Sequence, residues 1–122
     1  MKLQLANRSI YNCLELAAAK REYIEIELRH RKLGKTTALI QFAKENGYVV
    51  LVGSVAEAKV LIREYGYRLI KSINSNLDGY PFFVFDETAP REKIEAMKED
   101  GQIIITGFLR AEDFYGEQAV NK

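Results

Sequence analysis

The chain has 122 residues, 48% of them hydrophobic and 29% charged, with a formal net charge of +1. That length suits one domain with a single core, and so small a charge gives no bulk attraction to nucleic acid or membrane, so electrostatic binding must come from local patches. The single cysteine, Cys13, excludes an internal disulfide. No apolar run approaches the ~18 residues that span a bilayer, and the opening MKLQLANRS lacks the apolar core of a signal peptide. A cytoplasmic location is expected.

Ser9 is placed to cap a helix running to about Lys20–Glu22, with Ile10, Cys13, Leu14 and Ala17 on one face. Cys13 in that face reads as a buried structural thiol. Tyr23 to Leu28 alternates apolar and polar residues, the period of a half-buried strand. A second helix is expected from Thr36 to about Asn46, with Leu39, Ile40, Phe42 and Ala43 on its apolar face and Asn46-Gly47 closing it. Tyr48 to Val52 is a continuous apolar run between Gly47 and Gly53, the pattern of a buried parallel strand. Ser54 caps a helix from Ala56 to about Tyr65, and Gly66 precedes a weaker helical stretch around Tyr67–Ile73. Asn74 to Gly79 is turn chemistry throughout. Phe82 to Phe85 is a further buried strand ending at Asp86-Glu87, followed by a helix from about Pro90 to Glu99. Ile103 to Ile105 is expected to form the fourth strand and to stop at Thr106-Gly107. The last residues, from Phe108 on, end in a polar, frayed stretch. Strands alternating with helices imply right-handed crossovers and an α/β fold, a three-layer sandwich around a mostly parallel sheet of about four to five strands.

The stretch Arg29 to Thr37, RHRKLGKTT, lies between an expected strand and an expected helix. Its Gly34-Lys35-Thr36 is the closing half of a phosphate-binding loop. A strand-to-helix turn aims backbone donors and the helix dipole at an anion. Gly34 lets the backbone approach phosphate, Lys35 reaches the β- and γ-phosphates, Thr36 ligates Mg²⁺ and Thr37 touches an α-phosphate. The opening half is irregular, since Arg29 stands where the usual pattern has its first glycine. The second element is Phe82 to Glu87, FFVFDE, which sets two carboxylates at the end of a buried strand. In a nucleotide site Asp86 holds Mg²⁺ and Glu87 polarises the attacking water. Parallel strands end on one edge, so the lysine and the acids are expected to converge there.

These residues resemble the P-loop NTPases, specifically the class with an added strand beside the loop strand and a catalytic glutamate after the Walker B aspartate. For the four strands expected here the resemblance implies the order 1-4-3-2, with the Ile103–Ile105 strand between the loop strand and the Asp86 strand. It also implies that Thr106, at the inserted strand's tip, senses the γ-phosphate. The whole chain, 1–122, would then be a single minimal nucleotide-binding domain. The loop is most similar to that of phage terminase large subunits, which run arginine, two residues, Gly-Lys-Thr. Arg31, Lys32 and Leu33 fill those positions, and Arg31 matches the arginine that holds or senses the nucleotide. The expected departures are a missing nuclease domain and an unsettled fifth strand, which could come from Leu3-Gln4-Leu5, from Phe108–Phe114, or not exist.

The resemblance implies ATP or another NTP with Mg²⁺, hydrolysed by a small ATPase tied to phage or mobile-element DNA processing. The alternative is a catalytically weak nucleotide-binding module that acts as a subunit of a larger complex. The basic run Arg29 to Lys32 could touch DNA or RNA phosphates, although a bound nucleotide explains the charge equally well. His30, the one histidine, has no cysteine partners and is not expected to ligate a metal. Arg110 is the candidate arginine finger. A small sheet leaves an exposed edge, which suggests a homo-oligomer or a partner protein that covers it.

Overall fold

The computed structural model describes residues 1–3, 9–26 and 34–110. In chain order these form α1 (Ile10–Lys20), β1 (Ile24–Ile26), α2 (Lys35–Asn46), β2 (Val49–Val52), α3 (Val55–Tyr65), β3 (Ile70–Ser72), β4 (Phe82–Phe85), α4 (Arg91–Glu99) and β5 (Ile103–Arg110). The helices start and stop on local chemistry. Ser9 Oγ accepts from Asn12 N–H at 3.1 Å, and Ser54 Oγ accepts from Glu57 N–H at 3.2 Å. Those hydroxyls satisfy backbone donors that the first turn of a helix leaves over. Gly47 ends α2 at φ 74°, a left-handed conformation that a residue without Cβ adopts without strain.

The five strands form one sheet in the order β1-β5-β4-β2-β3, and every pairing is parallel. Alternation along the strands sends side chains to two cores. Val50 and Val52 of β2 and Val84 of β4 pack with Cys13 and Leu14 of α1 and with Leu39 and Ile40 of α2. Val49, Leu51, Phe83 and Phe85 face the other way, with Ile94 of α4. The fold is therefore α/β, with an all-parallel sheet covered by helices on both faces. Among the described residues no helix is long and apolar enough to cross a membrane.

Two elements differ from the sequence expectation. The stretch Tyr67–Ile73, expected as a weak helix, contains the edge strand β3, so the described residues form a five-stranded sheet in the order β1-β5-β4-β2-β3 in place of the four-strand order expected. Pairing decides the matter: Val50 N–H donates to Leu69 C=O and Ile73 N–H to Val52 C=O, both at 2.8 Å. The last strand does not stop at Thr106-Gly107 but runs on to Arg110. Gly107 is a packing position rather than a stop, since a Cβ there would lie 2.4 Å from Phe85 Cδ1. On the outer side of β1, Lys2 bridges Glu25 in parallel and Leu3 N–H donates to Glu25 C=O at 3.1 Å. Of the two fifth-strand candidates, Leu3 thus lies beside β1 and Phe108 within β5; residues 4–5 and 111–114 lie outside the described residues.

Candidate functional site

The carboxyl ends of β1, β2 and β4 share one edge of the sheet, and the amino terminus of α2 opens there. Gly34 caps α2 at φ 77°, ψ 23°, and has no side chain with which to satisfy the first-turn N–H groups. Those donors and the helix dipole favour an anion. Lys35, the first residue of α2, is 6% exposed, and its Nζ lies 3.8 Å from Glu87 Oε1. An ammonium so deeply buried needs an anionic partner, and the acid at the end of β4 meets that need.

Asp86 follows β4 directly and is 5% exposed. Its Oδ1 accepts from Thr88 N–H at 3.0 Å and from the Thr88 hydroxyl. Thr88 Oγ1 in turn accepts from Gly53 N–H at 2.9 Å, which ties the end of β2 to the end of β4. The approach is tight: a Cβ on Gly53 would lie 2.5 Å from the Thr88 carbonyl oxygen. Burial pushes the Asp86 carboxyl from the ordinary 3.8 up to about 7, and the charges of Glu87 and Glu57 push the same way against the two Thr88 hydrogen bonds.

Thr36, Asp86, Glu87 and Thr88 line one open pocket of about 390 Å³, whose far wall is Ala56, Glu57, Val60 and Leu61 of α3. Among the described residues Glu87 Oε2 is buried beside it without a hydrogen-bond partner. An orphaned carboxylate oxygen is costly unless a donor or cation reaches it. A hydrated Mg²⁺ fits this donor set. Among the described residues no three His, Cys, Asp or Glu side chains converge as a complete metal cage. Mg²⁺ commonly takes one or two protein oxygens and completes its shell with water and phosphate; Thr36 and Asp86 are of that kind.

Lys35, Thr36, Asp86 and Glu87 are thus brought together, with Gly34 at the turn beside them. Thr37 is exposed on the next position of α2, its hydroxyl 2.8 Å from that of Tyr65. Arg31, Lys32 and Leu33 lie outside the described residues, as do Arg29 and His30. Thr106 is not at a strand tip. It lies inside β5 level with Val84, fully buried, and its hydroxyl donates to Glu22 C=O at 2.8 Å. Glu22 precedes β1, so this hydroxyl is committed toward the sheet end away from Asp86. Arg110 ends β5 opposite Ile26, half-buried, with its carbonyl accepting from Arg91 Nη2 at 2.8 Å.

Sequence reasoning passed over Thr88 and Glu57. The first had a signal in Asp86-Glu87-Thr88, since an aspartate readily accepts from the backbone two residues on. The second had none that pointed to a site. No protein-family model, no curated protein and no solved structure matches this chain.

Proposed function

We propose that the chain is a small P-loop nucleotide-binding domain that binds ATP or another NTP with Mg²⁺ and hydrolyses it. The observation that carries this reading is one pocket lined by Thr36, Asp86 and Glu87, with the Lys35 ammonium 3.8 Å from Glu87. These side chains come from separate parts of the chain, and each has the chemistry that its place in such a site requires. The strand order supports the reading as well. Apart from the edge strand β3, the sheet runs from the loop strand to 103–110, then 82–85, then 49–52, the order that the resemblance implies.

In this reading the amino terminus of α2 holds the phosphates through its N–H groups, and Gly34 allows their close approach. Lys35 exchanges its contact with Glu87 for the terminal phosphates. That exchange frees the Glu87 carboxylate to orient the attacking water and take its proton. Thr36 and Asp86 would hold Mg²⁺, which when bound neutralises charge on the β- and γ-phosphate oxygens. The Thr88 bridge to Gly53 keeps Asp86 fixed while this happens.

The binding-module alternative is favoured by one observation. Thr106 is committed to Glu22 and leaves the hydrolytic side without the polar strand-tip group that the resemblance implies. ATP titration by calorimetry followed by a turnover assay, each with and without Mg²⁺ and DNA, separates the readings. Binding with turnover supports the ATPase, binding without turnover supports the module, and no binding removes both. The DNA arm also tests the link to terminase-like DNA processing, which rests on the likeness of the loop Arg31 to Thr36, with the basic run Arg29 to Lys32 as the stretch that could touch DNA phosphates.

A further inference from the structure

Glu57 is the third carboxylate on this pocket, an exposed residue on the wall that α3 supplies. In the sequence it completes a capping box, Ser54-Val55-Ala56-Glu57, in which the serine hydroxyl takes the glutamate N–H and the glutamate carboxylate returns to the serine N–H. Half of that exchange is present, with Ser54 Oγ accepting from Glu57 N–H at 3.2 Å. The return bond is not made, and among the described residues Glu57 forms no ion pair. The side chain stands instead at the pocket, near enough for its charge to act on Asp86.

We propose, on the nucleotide-hydrolysis reading above, that Glu57 is a water-holding residue of the reaction. It accepts one O–H of the attacking water from the α3 side while Glu87 accepts the other. A water gripped by both hydrogens has its lone pair aimed along one line, toward the γ-phosphorus. The water oxygen forms the new bond to phosphorus and Glu87 takes the proton. The bond to the β,γ-bridging oxygen breaks with its electron pair leaving on the diphosphate. Glu57 transfers nothing; its contribution is the orientation of the nucleophile.

The test is Glu57→Gln, because glutamine serves a capping box as well as glutamate does and removes only the charge that strengthens the hydrogen bond. Nucleotide affinity is measured by calorimetry with Mg²⁺ and ATP, and phosphate release is measured in a single turnover. The expected result is an affinity within about threefold of wild type and a release rate lowered on the order of tenfold, with Glu57→Ala lower still. A Glu57→Gln variant that releases phosphate as fast as wild type overturns the role of Glu57 and leaves the ATPase reading standing. A variant that loses affinity and rate together also overturns it, since Glu57 then serves binding. Wild-type protein that binds no ATP, or binds it without turnover, removes the hydrolysis reading and this proposal with it.

Discussion

Asp86→Asn should make the nucleotide-free protein more stable, although it destroys a site residue. The carboxyl is buried, and its pKa in the folded chain lies at about 7 against the ordinary 3.8. That difference of about three units corresponds to roughly 4 kcal/mol. The folded state holds its proton more tightly than the unfolded chain, so the penalty is absent where both are protonated. It grows as pH rises from about 4 to about 7 and stays constant above. An asparagine stays neutral at every pH, and its side-chain oxygen can still accept from Thr88 N–H. The stabilisation expected at pH 8 is therefore roughly 2–4 kcal/mol, on the order of 10 °C in a thermal melt. Melts of both proteins between pH 4.5 and 8 should show the gap closing toward the acid end. Saturating Mg²⁺ and ATP should reverse the order, since binding stabilises the wild type by mass action and the variant far less. A variant no more stable than wild type at pH 8, or a gap independent of pH, would refute the burial argument.

Lys35→Ala should abolish nucleotide binding or weaken it severely, because on the proposed reading the ammonium beside Glu87 turns to the phosphates; unchanged binding by calorimetry would sink the site. Glu87→Gln should leave ATP bound and slow hydrolysis by ~10²-fold or more, so equal single-turnover rates would show that another group is the base. Gly107→Ala should destabilise the fold by roughly 1–3 kcal/mol, because its Cβ meets the buried Phe85 ring at 2.4 Å; an unchanged denaturant midpoint would contradict that packing.

Much of the architecture could be read from local patterns. The unbroken apolar runs Val49–Val52 and Phe82–Phe85 are both parallel strands, and Ser9, Ser54 and Gly47 bound helices as their side chains or lack of one imply. These features lie within a few residues of chain, where periodicity and capping act. The convergence of Lys35 with Asp86-Glu87 was legible too, because in a parallel sheet any residue after a strand lies on the same edge.

The Gly34-Lys35-Thr36 end of RHRKLGKTT and the acid pair therefore mark the candidate site in the sequence itself. What only the tertiary structure decided were contacts between residues far apart in sequence. Ile70–Ser72 is a strand because β2 offers it a ladder, and Gly107 lets β5 continue because Phe85 lies over it. Thr106 leaves the site because a carbonyl 84 positions away captures its hydroxyl. Gly53 and Thr88 meet because two strand ends adjoin, and Glu57 reaches the pocket because α3 packs beside the start of α2. Local sequence sets each element's own preference. The choice among contacts depends on burial and pairing energies that exist only once the chain has closed on itself.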